Sequence, residues 1–397
     1  MRILFLMKVF EIGGIEVVTS ILANKLIEEG HEVHVASFIS PNVEMAKRLN
    51  KSIQIHSLKG YKCNQENIVT LHNILSNNKI EIIINQWGLP FLPVKVIRKA
   101  LKGLDCKILS AYHNDPKANA KILHYSIKKK ESNNCIAKGY YSILEFLSTK
   151  ITGFSMRYVY QNSDYFIILS KSFIKNFSTF TKISDLSKLK IITNPVTISN
   201  KNFTYDSQKK KKEIIYVGRI DYNQKRVIRI LEIWRRINKQ YPDWHLKIIG
   251  DGPEKVELEH FSKIKALTNV SFEGFQDPTK YYETASIILL TSEYEGFGLV
   301  IVEAMSFGTI PVVYGSYNAI YDIVDHKKDG YIIKPQNNEF PIEDMTIAIA
   351  NLIENENERI AIAQEAIIKA KNFSLDKIYK KWNNLFIEVN KSVSSNQ

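Results

Sequence analysis

Two carboxylates separated by seven residues form the densest chemical signal in the chain. They are Glu295 and Glu303, the ends of a Glu-Gly-Phe-Gly-Leu-Val-Ile-Val-Glu run. The apolar residues before Glu295 predict a strand, and residues 299–307 predict a helix starting near Gly298. Gly296 and Gly298 allow close approach of backbone to a ligand. A helix N-terminus at this point offers unpaired N–H groups and a partial positive charge to an anion such as a diphosphate. Carboxylates nearby can accept hydrogen bonds from sugar hydroxyls. The same spacing also suits a capping Glu295 and a solvated Glu303, so the pair leaves both readings open. A second signal is Gly218-Arg219 followed by Lys225. Arg as a planar fork and Lys as a point charge can together neutralise a pyrophosphate, although either alone is an ordinary base at a strand end. Gly13-Gly14 precedes a predicted helix, another place where amides can meet phosphate. It is not the G-x-G-x-x-G fingerprint, which counts against dinucleotide chemistry. His113 follows a predicted strand and precedes Asn114-Asp115-Pro116, a position open to a structural or a functional histidine.

These residues need a scaffold that delivers loops to one edge. Residues 1–10 read as a buried strand, 17–29 as an amphipathic helix and 31–38 as the next strand. Further buried strands are expected at 80–85, 107–112 and 165–169, with an unusually long Lys-, Tyr- and Phe-rich segment at 117–157. Residues 200–212, with four lysines at 209–212, read as a solvated linker between domains. A second series follows: strand 214–217, helix 225–241, strand 245–249, a helix from about residue 254, and strands 270–273, 287–291, 310–314 and 331–333. Such alternation predicts an α/β fold of two Rossmann-like, doubly wound parallel-sheet domains facing across a cleft. The domains are expected at 1–198 and 199–374, with the helix 375–397 packing back on the first through Ile378, Trp382, Leu385 and Phe386.

The 397 residues, 45% hydrophobic and 24% charged, can fill two cores. No apolar run reaches the ~18–20 residues of a membrane span, and residues 1–10 lack a cleavage site, so a cytoplasmic protein is expected. Cys63, Cys106 and Cys135 are odd in number and far apart, which fits neither disulfides nor zinc. The net charge is +13, and all of it lies in residues 1–200, with 27 basic against 14 acidic residues; residues 201–397 hold 27 of each. An anionic partner for the first half is the chemical reading, and solubility the bland one. The Lys/aromatic segment 117–157 suggests a peripheral contact with the inner face of an anionic membrane, through Lys128, Lys129, Lys130, Lys138, Tyr140, Tyr141, Phe146 and Phe154. An insertion that packs its aromatics inside is the alternative. No nucleic-acid motif accompanies the charge.

The second half resembles the retaining glycosyltransferase family 4, glycosyl transferases group 1, of the GT-B class. The matching residues are Gly218-Arg219 with Lys225, Gly250-Asp251-Gly252-Pro253, Phe272-Glu273-Gly274, Glu295 to Gly298, Glu303-Ala304-Met305, Gly308 with Pro311, and Asp329-Gly330. The first half is similar through Gly13-Gly14, the amphipathic helix and Tyr112-His113. The resemblance implies that Arg219 and Lys225 hold a donor diphosphate and Glu303 the ribose hydroxyls. Glu295 would contact the donor sugar beside the amides of Phe297, Gly298 and Leu299. Gly13, Gly14, Gly218, Phe275 and Gly296 would complete the donor site. His113 would stand near the reacting centre, with Asn114 and Asp115 toward the acceptor. Where the family often has Gly-Gly and a Glu after the Pro311 strand, Ser316-Tyr317-Asn318-Ala319 and Asp322 stand here.

The expected reaction moves a sugar from a nucleotide diphosphate, preferably UDP, to a hydroxyl of a glycan or a polyprenyl-diphosphate-linked acceptor, with retention. The setting implied is bacterial surface polysaccharide, capsule or lipopolysaccharide assembly. No cofactor is expected beyond the nucleotide-sugar co-substrate. No metal is expected either, because basic residues and a helix terminus can meet the leaving charge. The rivals are a sugar-nucleotide epimerase of the same architecture and a non-catalytic nucleotide-sugar-binding partner protein.

Overall fold

The computed structural model describes residues 1–11, 13–200, 203–336 and 339–394. The chain divides into two compact units, Met1–Thr197 with Leu375–Gln397, and Ile198–Ser374.

The first unit is built on strands β1 (Arg2–Met7), β2 (Glu32–Ser37), β3 (Gln54–Ser57), β4 (Ile82–Asn85), β5 (Lys107–Tyr112), β6 (Tyr165–Ile168) and β7 (Leu189–Ile191). They form one sheet in the order β3-β2-β1-β4-β5-β6-β7, and every pairing is parallel. Continuous apolar runs such as Ile3 to Met7 and Ile82 to Ile84 suit strands buried on both faces. β3 and β7 escape a periodicity argument because they are short edge strands, β3 largely exposed and β7 half-buried. The helix Gly14–Glu28 buries Val18, Leu22 and Leu26 at a spacing of four. The helix Leu375–Ser394 adds Ile378, Tyr379, Trp382, Leu385, Phe386 and Val389 to the same core as Ile3, Phe5 and Leu22.

The long segment after β5 is a helical hairpin, Ala120–Glu131 and Cys135–Gln161. Asn119 caps the first helix and Asn134 the second, each accepting backbone N–H groups with its side chain.

The second unit holds β8 (Lys211–Val217), β9 (His245–Ile249), β10 (Val270–Gly274), β11 (Ala285–Leu290), β12 (Ile310–Tyr314) and β13 (Tyr331–Ile333). Their order is β10-β9-β8-β11-β12-β13, again parallel throughout. Two expectations need correction here. The lysine run is not a linker: Lys211 and Lys212 begin β8, and Lys210, half-buried at its start, is held by the fold. Lys210 Nζ donates to the carbonyls of Tyr282 and Ala285, both at 2.9 Å, and to Thr309 Oγ1 at 3.1 Å. The helix expected from residue 225 starts three residues later, at Ile228. Arg226 takes the left-handed conformation (φ 51°), which breaks the helix before it.

Candidate active site

In a doubly wound sheet the loops at the strands' carboxyl ends part where the strand order reverses. In the second unit that point lies between β8 and β11, and it receives Gly218-Arg219 from one strand and residues 291–298 from the other. The loops there are close-packed. Gly250 has φ 144°, and a Cβ on it would collide with the carbonyl of Gly218, so the β8 and β9 loops meet only without a side chain.

Lys225 and Glu295, 70 residues apart, come together at this place. Lys225 Nζ lies 2.6 Å from Glu295 Oε1, and the two side chains are 15% and 9% exposed. Ser292 Oγ donates to the same oxygen at 2.7 Å. Glu295 therefore does not cap the helix through its side chain: the cap residue is Gly298, at φ 88°, with no side-chain cap bond. The helix Leu299–Ser306 starts immediately beyond, and its first amides carry the partial charge that attracts anions. Nor is Glu303 solvated. It is buried within that helix, and the Tyr282 hydroxyl donates to Glu303 Oε2 at 3.2 Å. Arg219 remains 62% exposed, with Nη2 2.9 Å from Asp221 Oδ2. Phe297 contributes backbone only, because its ring is buried edge-on against Phe373. Gly296 and Leu299 are half-buried beside it, whereas Phe275 projects from the end of β10 at 74% exposure.

Two further side chains at this place, Arg226 and Arg229, are absent from the sequence reading, and a third, Tyr317, stands in the segment that departs from the family's pattern. Arg226 and Arg229 both reach Glu293 Oε1, at 3.4 and 2.6 Å, so a second, partly buried basic cluster adjoins Lys225. Tyr317 is buried to 4% exposure, and its hydroxyl has no hydrogen-bond partner. A Cβ on Gly298 would lie 2.6 Å from that hydroxyl, so Tyr317 stands over the start of the helix.

The first unit reverses strand order between β1 and β4. A cavity of about 240 Å³ lies there, lined by Gln86, Trp87, His113 and Asn114 among others. His113 Nε2 is 2.6 Å from Gln86 Oε1, which places the proton on Nε2 and leaves Nδ1 as an acceptor. Nδ1 is buried and lacks a partner. Burial pushes the His113 pKa down to about 4, against a smaller opposing pull from the nearby Asn194 side chain, which is too poorly aligned to make a full hydrogen bond with Nδ1, so the ring is neutral at pH 7. Asp115 does not line this cavity. It is buried, and Asn176 Nδ2 donates to both of its oxygens, at 2.9 and 3.1 Å. Asn114 Nδ2 is tied to the Ala118 carbonyl at 3.1 Å.

Gly13 and Gly14 open the helix Gly14–Glu28, but the start of that helix already faces a carboxylate. Glu16 is buried, and a Cβ on Gly13 would lie 2.5 Å from its Oε2. Burial raises the Glu16 pKa, opposed by a hydrogen bond from its own backbone N–H. An anion at these amides would compete with that carboxylate, which already takes the Glu16 N–H. Residue 12 of the same turn lies outside the described residues.

Two parallel, Rossmann-like sheets, one in each unit, are the architecture of the GT-B class. The comparisons agree. The family model described as glycosyl transferases group 1 matches residues 198–369, and that for glycosyltransferase family 4 matches residues 12–200. The chain belongs to glycosyltransferase family 4. An uncharacterized glycosyltransferase of Haemophilus influenzae is 32% identical over 193 residues, covering 48% of this chain and 53% of the relative. The chain thus spans about half the length of that relative. The Campylobacter jejuni alpha-1,4-N-acetyl-D-galactosaminyltransferase, named for a diNAcBac-PP-undecaprenol-linked saccharide, is 25% identical over 395 residues, 98% of this chain and 99% of its own. Among solved structures, Anabaena HepE in complex with UDP superposes with a TM-score of 0.71 at 16% identity, covering 98% of this chain and 100% of that one. At that identity the likeness is one of fold.

Proposed function

We propose that the protein is a glycosyltransferase that moves a sugar from a uridine diphosphate sugar to a hydroxyl of a polyprenyl-diphosphate-linked glycan, in surface polysaccharide assembly. The observation that carries the reading is the Lys225–Glu295 pair beside the Gly298 helix start, with Arg219 exposed at the adjacent strand end. Breaking the sugar–phosphate bond leaves negative charge on the departing diphosphate. Lys225 has three N–H donors, of which Glu295 takes one, and Arg219 adds its fork. Preorganised donors aimed at developing charge are usually the largest catalytic contribution. Glu295, held by Lys225 and Ser292, would accept from donor-sugar hydroxyls, and Glu303 from the ribose. His113, neutral and with the Nδ1 lone pair available, would accept a hydrogen bond from a hydroxyl of the transferred sugar.

Retention and metal independence belong to the same proposal. The departing phosphate would take the acceptor's proton on the face it leaves, and Arg219 and Lys225 would meet the charge in place of a divalent ion. The uridine preference draws on HepE, whose structure contains UDP, and the acceptor class on the Campylobacter relative's name.

Thermal unfolding against UDP, GDP, ADP and CDP tests the donor site. Ligand at a hundred times its dissociation constant adds about 2.7 kcal/mol to the native state. UDP alone should raise the transition, and Arg219→Ala and Glu303→Gln should abolish the rise. A well-folded sample that responds to no nucleotide rejects the donor site. In the sugar-transfer assay, activity lost to chelator and restored by Mg²⁺ rejects metal independence.

A further inference from the structure

The helix Cys135–Gln161 carries two opposed faces. One holds it in the fold over the last third of the helix: Thr152, Gly153, Ser155, Met156, Val159 and Tyr160 are buried, and Ser155 Oγ accepts from the Phe91 backbone N–H at 3.0 Å. The other face is apolar and bare. Ile136, Tyr140, Ile143, Leu147, Ile151 and Phe154 recur at steps of four, three, four, four and three residues. All six are exposed, Ile136 to 82%, Ile151 to 67% and Phe154 to 65%. At 100° per residue they lie on one arc, and the ridge runs for roughly 27 Å at 1.5 Å per residue. A contiguous apolar surface of this kind marks an interaction site.

Charge chooses the occupant. The hairpin helices Ala120–Glu131 and Cys135–Gln161 contain seven basic residues and two acidic ones. Both acids are paired, Glu131 with Lys128 and Glu145 with Lys129. Lys150 and Arg157 flank the ridge on one side, and Lys150 Nζ lies 5.1 Å from the centre of the Phe146 ring. A second copy of the chain would bring two cationic hairpins together with Lys150 at the edge of the seam. An anionic lipid surface accepts both features, since lysine and arginine stems lie along apolar surface while their heads meet phosphate. No helix among the described residues is long and apolar enough to cross a membrane, so the contact lies in the plane of the interface.

We propose that this ridge docks on an anionic bilayer surface, with Ile136, Ile143, Ile151 and Phe154 entering the headgroup boundary. The proposal stands on the ridge and its charge and goes beyond the sugar-transfer reading. Its test uses no catalysis, so the two can fail separately.

Flotation of the full chain with phosphatidylcholine vesicles, with and without phosphatidylglycerol, reads binding directly. The chain should float with the anionic vesicles at low salt and much less with the neutral ones. I143S/F154S, both at exposed positions, should lower the bound fraction by about tenfold at an unchanged melting temperature. A Phe154→Trp variant keeps the ridge apolar and should show a blue-shifted emission on anionic vesicles only. Absence of flotation with anionic vesicles, equal flotation of I143S/F154S, or an unshifted emission from the Phe154→Trp variant each overturns the proposal. So does a wild-type dimer in sedimentation that I143S/F154S converts to monomer, because the ridge would then be a self-association seam.

Discussion

Tyr317 belongs to the segment Ser316-Tyr317-Asn318-Ala319, where this chain departs from the glycine-rich pattern of its family. Its ring is buried, its hydroxyl lacks a partner, and it overlies Gly298 at the helix start proposed for the diphosphate. A buried hydroxyl without a partner costs the ligand-free fold about 1–3 kcal/mol, so a donor that accepts its hydrogen bond would recover that energy. Tyr317→Phe should therefore leave folding stability equal or slightly higher, raise KM for the donor about tenfold and change kcat less. Urea unfolding and steady-state kinetics on the same preparation decide it. A more stable variant with unchanged KM would reduce Tyr317 to a packing defect. The contrast with Glu295 and Lys225 shows what can be read from sequence. Their types and local motifs point to chemistry, but their mutual pairing spans 70 residues and appears only in the fold. Nothing local marks Gln86 and Trp87; their signal lies in topology, since they follow β4 at the strand reversal. The buried pairing also limits how Glu295 can be tested. Truncation to Ala would leave Lys225 buried without its partner at a cost of about 3–5 kcal/mol, so Glu295→Gln is the informative change.

At the scale of elements, the parallel strands are legible because burial on both faces writes them as continuous apolar runs. The start of β8 is not, because three of the four lysines at 209–212 are taken up by the strand or held at its start. Composition suggests a solvated linker, but three acceptors around one ammonium outweigh composition. Burial lowers the Lys210 pKa to about 7, opposed by the charge of Glu283. Between pH 7 and the ordinary lysine value near 10.5, the unfolded chain keeps a proton that the folded chain releases. Lys210 thus makes folding stability rise with pH through that window, by up to about 1.4 kcal/mol per pH unit. Below pH 7 both states hold the proton and the contribution is flat at its least favourable level. Lys210→Met should remove this slope. The difference between variant and wild type in urea unfolding at pH 7, 8, 9 and 10 isolates it from other titrating groups. An identical slope in the two proteins would mean that Lys210 keeps its proton in the fold.

Over the whole molecule, the chain order and the division into units differ in one respect: the last helix, Leu375–Ser394, completes the core of the first unit. Its apolar residues at 378, 382, 385, 386 and 389 follow helical spacing, so that face is legible in sequence, although the surface it covers is not written locally. Phe386 is fully buried there, with the His31 ring 6.2 Å away edge-on and Trp382 at 5.9 Å. Replacing a fully buried Phe by Ala removes its transfer energy and leaves a cavity, at a cost of about 3–5 kcal/mol. Each unit has its own parallel sheet and internal contacts, so that loss belongs to the first unit although the substitution lies near the end of the chain. Phe386→Ala should lower one calorimetric transition by several degrees and leave the other in place. UDP, if the donor site lies in the second unit as proposed, should still raise the transition that the substitution spares. Two transitions falling together would mean instead that the units unfold as one cooperative body, and the cost of a change in either core would then be shared by both.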